Sequence, residues 1–201
     1  MSVYNFAPCP NINSAQTFAY WENGFSEEEI QKIIDFGESK NTQKATITGH
    51  DSESDFKKLR ESKVSWINYE ESSAWIYDRL AFIARNLNGQ FFNYDLSGFV
   101  EDFQYTVYNG EDESHYDWHI DMMACKDGSS PRKLSLILQL SDTTEYEGGE
   151  LQLKESTDDT TIERKKGHLI AFPSYLLHRV TPVTKGIRRS LVVWISGPAF
   201  R

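Results

Sequence analysis

Near residue 98 the chain changes character, and this change limits its fold more than any other feature. Before it, Phe25-Ser26-Glu27-Glu28-Glu29-Ile30 reads as a helix start. Ser26 is the N-cap, Glu29 closes a capping box three residues on, and Phe25 is placed to staple onto Ile30. Ile30, Ile33 and Ile34 form one apolar stripe, so this helix should run to about Gly37 and pack on a sheet. A second helix is expected over about 72–87, with Trp75, Ile76, Leu80, Ile83 and Leu87 at helical spacing and Asn88-Gly89 as a left-handed stop. From about Gly98 onward the pattern becomes short strands between turn residues: 103–108, 133–140, 150–154, 168–172 and 190–195. Helices first and strands afterwards imply an α+β fold, mainly β, with helices buttressing a β-core. The intervening stretch 41–63 is polar and without periodicity, which predicts a mobile loop.

A chain of 201 residues is long enough for one well-cored unit, so a single domain over 1–201 is expected, with helical support to about 97 and the core from about 98. Cys9 and Cys125 make no paired spacing and read as free thiols of a reducing compartment. The N-terminus has neither a basic start nor a continuous apolar run, and no stretch approaches a membrane span. A soluble, cytoplasmic protein is expected, with no membrane partner. The formal charge of −9 argues against a nucleic-acid partner, because such binding draws on clustered Lys and Arg.

His119-Ile120-Asp121 carries the chemistry. On an extended strand, residues i and i+2 project from one face, so His119 and Asp121 can aim an imidazole and a carboxylate at one metal ion while Ile120 packs behind them. One more distant histidine would complete a two-histidine, one-carboxylate set, which leaves coordination positions open as in non-haem Fe(II) oxygenases. His115 lies four residues before His119, a zinc-pair spacing on a helix. Trp118, Tyr116 and Ile120 favour a strand there, so His115 reads as a rim residue. His168 and His50 read as structural or solvated, and Trp118 and Trp194 as core or pocket wall.

The segments around this motif form a series. Tyr108-Asn109-Gly110 precedes Tyr116-Asp117-Trp118-His119-Ile120-Asp121. Glu147-Gly148-Gly149-Glu150-Leu151, then Lys166-Gly167-His168-Leu169-Ile170-Ala171-Phe172-Pro173, then His178-Arg179-Val180-Thr181-Pro182-Val183-Thr184-Lys185-Gly186-Ile187-Arg188 follow it. In order and spacing the series resembles the prolyl 4-hydroxylase-like family of Fe(II)- and 2-oxoglutarate-dependent dioxygenases across about 98–198. Arg60-Glu61-Ser62 followed by Trp66 is similar to a stretch that lies beside the peptide in prolyl hydroxylases.

The resemblance implies a double-stranded β-helix, or jelly roll, with iron at one open end. Gly148-Gly149 would make the tight turn before a short strand. It implies that His119, Asp121 and His178 are the iron ligands and that Arg188 pairs with the far carboxylate of 2-oxoglutarate. The planar fork of arginine suits that task. Strand alternation puts Arg189 on the opposite face, and the ten-residue offset from His178 shared with relatives favours Arg188. Tyr108 matches a tyrosine that hydrogen-bonds the cosubstrate, and Arg60 and Ser62 match peptide contacts. The implied activity is C–H hydroxylation, most often of a peptidyl proline, using Fe(II), 2-oxoglutarate and O2 and releasing succinate and CO2. Ascorbate is the implied auxiliary. The partner expected is a peptide or protein, with the stretch 41–66 closing over it as a lid. The alternatives are a hydroxylase of a free amino acid or other small molecule, and a non-catalytic metal-binding jelly roll. Alkylation-repair demethylases carry a second arginine where this chain has Trp194.

Overall fold

The computed structural model describes residues 16–45, 57–122 and 130–199. Cys9, Cys125 and His50 lie outside these residues. In chain order the elements are β1 (Ala19–Trp21), α1 (Glu27–Ser39), β2 (Gln43–Lys44), β3 (Arg60–Glu61), β4 (Lys63–Ile67), α2 (Ala74–Leu87) and β5 (Phe103–Asn109). They continue with β6 (His115–His119), β7 (Arg132–Gln139), β8 (Tyr146–Gly148), β9 (Leu151–Lys154), β10 (Asp159–Thr161), β11 (Leu169–Pro173), β12 (Leu177–Val180) and β13 (Val183–Ser196).

Every strand pairing is antiparallel. The larger sheet runs β1-β11-β7-β13-β5-β4-β2, with β8 also paired to the start of β13. The smaller runs β10-β9-β12-β6-β3. Alternation along the central strands shows how the layers stack. Leu134, Leu136 and Leu138 of β7 and Leu191, Val193 and Ile195 of β13 share one apolar cluster with Ile30, Ile33, Ile76, Leu80 and Ile83 of the two helices. Their neighbours Ile137, Ile170, Phe172 and Val192 face the other way, into a second cluster with Leu151, Leu153 and Val180 of the smaller sheet. The larger sheet is thus buried on both faces, which is why β7 and β11 read as nearly continuous apolar runs. This is a jelly-roll core with helices on one outer face, an α+β and mainly β fold.

The α1 capping box is present: the Ser26 amide donates to Glu29 Oε2 at 2.9 Å and the Glu29 amide donates to Ser26 Oγ at 3.2 Å. Glu29 is used again by Arg79 of α2, whose guanidinium also donates to the Gly24 carbonyl at 2.6 Å. One residue therefore caps a helix and pins it to its neighbour. Gly148 and Gly149 form the expected turn, with φ of 74° and 60°.

Three local expectations are corrected. The α-helix of α2 ends at Leu87 as expected, but without a left-handed turn at Asn88-Gly89; the chain continues through a π-helical turn, Asn88–Phe92, and takes the left-handed conformation at Asn93, φ 53°. The Asn88 side chain brackets Tyr94 instead, donating to its carbonyl and accepting from its amide, both at 2.9 Å. The stretch 41–63 is not one loop, because Gln43–Lys44 pairs with β4, β4 pairs with β5 and Arg60–Glu61 pairs with β6. Its polar side chains hid this, since those that are buried are paired with each other. Residues 46–56 lie outside the described residues. Finally, β13 begins at Val183, well before 190, because its polar first half is held by β8 and β5.

Gly37 marks where α1 meets the sheet most closely. A Cβ there would lie 2.3 Å from the Tyr105 ring, which is fully buried. Gly37→Ala should therefore cost about 1–3 kcal/mol by overpacking and lower the melting temperature by roughly 2–10 °C. A thermal melt of the variant showing no loss would mean that the helix slides freely over the strand.

Candidate metal centre

His119 ends β6, and His178 lies directly opposite it in the antiparallel pair β6–β12. Each imidazole is oriented through Nδ1, which sits 2.7 Å from the Asp117 carbonyl in His119 and 2.9 Å from the Leu176 carbonyl in His178. With Nδ1–H donating, both Nε2 lone pairs face inward, which is how outer hydrogen bonds fix ligand tautomers. Asp121 comes from beyond the strand end, where its amide and that of Met122 both donate to the Ser174 carbonyl, at 2.9 and 2.8 Å. Its Oδ1 lies 3.8 Å from His119 Nε2 and its Oδ2 3.5 Å from His178 Nε2. The three ligand atoms fall within 4.8 Å of one another, and no other group of His, Cys, Asp or Glu does this among the described residues.

The expected strand geometry for the motif needs one correction. β6 stops at His119, so Asp121 is aimed by the Ser174 contact and not by alternation. Ile120 consequently does not pack behind the pair; it is 46% exposed at the rim.

Burial, reinforced by the neighbouring His178, pushes His119 down to about 3, so its ring is neutral and its lone pair available. Burial alone would raise Asp121, but His178, His119 and the Ser135 hydroxyl outweigh it and hold the carboxyl below its usual range. Ser135 Oγ donates to Asp121 Oδ2 at 2.8 Å and lies 2.9 Å from Ser174 Oγ. Two imidazoles with Nε2 turned inward and one buried carboxylate fit a divalent transition metal such as Fe(II).

These groups sit in a cavity of about 420 Å3 whose wall includes Arg60, Trp66, Tyr108, Tyr116, Arg132 and Trp194. The Tyr116 ring stacks on His119 with centroids 3.4 Å apart, and the Arg60 guanidinium lies 4.5 Å from the Tyr116 centroid on its other neighbour, β3. Arg132 lies 3.6 Å over the Trp194 ring and is paired twice with Glu101, once at 2.6 Å.

The second half of the chain is similar in sequence to known oxygenases. Residues 103–196 match the model of the 2OG-Fe(II) oxygenase superfamily. A PKHD-type hydroxylase of Synechococcus is 39% identical over 92 residues, 46% of this chain and 41% of that protein. Another, of Nitrosomonas europaea, is 35% identical over 121 residues, 58% of this chain and 53% of its own. The matched stretch spans about half the length of these relatives. Among solved structures, a Trichoplax adhaerens prolyl hydroxylase in complex with a hypoxia inducible factor peptide fragment superposes with a TM-score of 0.72 at 19% identity, covering 90% of this chain and 84% of its own. A Pseudomonas putida prolyl-4-hydroxylase gives 0.69 at 17%, covering 91% and 94%. These likenesses carry the jelly-roll fold.

Within this jelly-roll core the remaining expected residues separate. Arg188 and Tyr108 are register partners on β13 and β5, both buried, with the guanidinium 5.3 Å from the Tyr108 centroid. Tyr108 lines the metal cavity, whereas Arg188 lines a smaller one behind it. Arg188 Nη1 reaches Ser190 Oγ only at 3.4 Å and its Nε has no partner, so it fits a carboxylate-bearing cosubstrate. Arg189 points to the opposite face and pairs with Glu38 at 3.0 Å. Arg60 is in the cavity wall, but Ser62 is not; its hydroxyl accepts from Arg60 Nε at 2.9 Å and so orients the arginine. His115 is off the cavity, bridging the Glu113 and Lys58 carbonyls.

Ser135 was missed in the sequence reading. The signal was available, for it is the one hydroxyl in Leu134-Ser135-Leu136-Ile137-Leu138. Ser135→Ala should weaken Mn(II) or Fe(II) binding about 10–100-fold without changing the far-UV circular dichroism. Unaltered metal affinity in a titration would remove it from the site.

Proposed function

We propose that residues 1–201 act as one Fe(II)- and 2-oxoglutarate-dependent dioxygenase domain that hydroxylates a C–H bond, with peptidyl proline as its substrate class. The observation that carries the reading is the convergence of His119, Asp121 and His178, with a buried arginine whose Nε lacks a partner on the wall of the adjoining cavity. Support for a peptide comes from the hypoxia inducible factor fragment bound to the Trichoplax neighbour and from Arg60 in the wall of the cavity.

In this reading His119, Asp121 and His178 hold Fe(II), while Arg188 and Tyr108 hold 2-oxoglutarate. The bound pair would supply the oxidising chemistry: one oxygen atom of O2 enters the substrate C–H bond, and the oxo acid takes the other and leaves as succinate and CO2. The chain's own contribution is placement. The neutral His119 ring needs no deprotonation before binding metal, and the ionised Asp121 supplies the charge. The guanidinium of Arg188 fixes the cosubstrate's far end. Tyr116, Trp66 and Trp194 wall the centre and limit water. Burial pushes the Tyr116 hydroxyl up to about 12, so it stays neutral beside the metal site. Ascorbate would serve as the auxiliary reductant.

His119→Ala should abolish succinate formation, and Arg188→Ala should raise the 2-oxoglutarate requirement by orders of magnitude, since leaving one member of a buried pair alone typically costs about 3–5 kcal/mol. Arg189→Ala should be far milder. Steady-state assays over a range of 2-oxoglutarate concentrations separate the two arginines, and the reverse ranking would overturn the cosubstrate assignment.

Substrate recognition is tested at Arg60, which Ser62 and Tyr116 hold in place. Arg60→Ala should lower peptide hydroxylation by about 10-fold or more while peptide-free decarboxylation of 2-oxoglutarate persists. Equal peptide hydroxylation in variant and parent would move a small-molecule hydroxylase ahead of a peptidyl one.

A further inference from the structure

Behind the metal centre lies a cavity of about 20 Å3. That is room for roughly one water molecule or one small polar group. Ile137 belongs to its wall and to that of the metal cavity, so the two spaces adjoin through a single side chain. The polar side chains facing the small cavity include Arg188, His168 and Gln139. Gln139 is satisfied, its amide donating to the Tyr146 hydroxyl at 2.7 Å. The other two are not.

His168 is 5% exposed, and neither of its ring nitrogens has a hydrogen-bond partner. The carboxylate of Glu163 lies 3.8 Å from Nδ1, beyond hydrogen-bond range, on a side chain that is mostly in solvent. Arg188 is 2% exposed and leaves Nε without a partner. Buried polar groups are almost always satisfied, and two unsatisfied ones on the wall of one small cavity call for a shared anionic ligand.

From sequence His168 reads as structural or solvated. We propose instead that His168 is a second ligand of the cosubstrate's distal carboxylate. Arg188 and His168 then grip that carboxylate from two sides and favour oxo diacids over oxo monoacids. An imidazole supplies a donor whether neutral or protonated, so the contact survives in either state. This inference rests on the assignment of Arg188 to 2-oxoglutarate.

The test is binding by calorimetry, on the full chain with Mn(II) bound. 2-Oxoglutarate and 2-oxobutyrate, which lacks the distal carboxylate, are titrated into the parent, His168→Leu, His168→Gln and Arg188→Ala. His168→Leu should raise the Kd for 2-oxoglutarate about 10-fold or more and leave the Kd values for 2-oxobutyrate and Mn(II) unchanged. His168→Gln, which keeps a donor, should recover part of the loss. Melting curves without ligand verify folding, and His168→Met replaces the leucine variant if that one does not fold. Parent-like 2-oxoglutarate affinity in His168→Leu, with Arg188→Ala still impaired, overturns the proposal alone. An equal loss for both oxo acids also overturns it, by marking His168 as structural. Failure of the parent to bind 2-oxoglutarate overturns the oxygenase reading, and the His168 contact with it.

Discussion

Everything at the metal centre depends on one cross-strand register, His119 opposite His178 in the β6–β12 pair. Directly opposed residues in an antiparallel pair are the closest side chains a sheet can offer, and a slip of one residue would turn either imidazole to the other face. The register is protected from both sides. β12 is also paired to β9 along Leu177–Val180, and β6 is paired to β3 through Arg60 and Tyr116. Asp121 then needs only a short connection beyond the strand end, and its carboxylate is steered by backbone contacts to Ser174 and by the Ser135 hydroxyl. Non-ladder chain held by hydrogen bonds thus supplies the third candidate ligand atom, while the ladder supplies the first two.

The same frame sets the electrostatics. Asp121, buried to 6% exposure, needs compensation that solvent does not supply, and the site draws it from the two imidazoles and Ser135. Further out, three arginines occupy the surroundings: Arg60 stacked on Tyr116, Arg132 stacked on Trp194 and paired with Glu101, and Arg188 beside Tyr108. A chain of formal charge −9 thus sets Arg60 and Arg132 beside Glu101 and Asp121 on the wall of the metal cavity, and Arg188 on the wall of the adjoining one. An anionic oxo acid entering such a cavity meets arginines whose aromatic neighbours already hold them in place, and little ordering remains to be done on binding.

The fold was legible in the sequence wherever an element is apolar on one face, as in the two helices, or on both, as in β7 and β11. The capping box of α1, the stripe of α2 and the runs of β5, β7 and β11 all gave themselves away in this manner. The misses share a cause. β3 and the first half of β13 carry polar side chains that are buried in pairs or held at a sheet edge, and periodicity has no way to register a buried Arg60 that is satisfied by Ser62 and Tyr116. Asn88-Gly89 looked like a helix stop because those residue types favour left-handed backbone, but the position that takes it is Asn93. The three candidate metal ligands were legible as a set because their residue types and spacing are rare in combination. Their aim was not, since β6 ends at His119, two residues short of Asp121.

Arg60 shows why a residue's neighbours change what it can do. It stands in the cavity wall, where a substrate would pass, and it also forms the outer layer of a stack through Tyr116 onto His119. A cation over a ring and a ring over an imidazole both have preferred geometries, so Arg60, Tyr116 and His119 limit one another's placement. The strand pair β3–β6 makes this coupling unavoidable, because Arg60 and Tyr116 are register partners. A substrate that draws the guanidinium toward itself would therefore bear on the His119 ring as well, linking what occupies the cavity to the metal ligand at its floor.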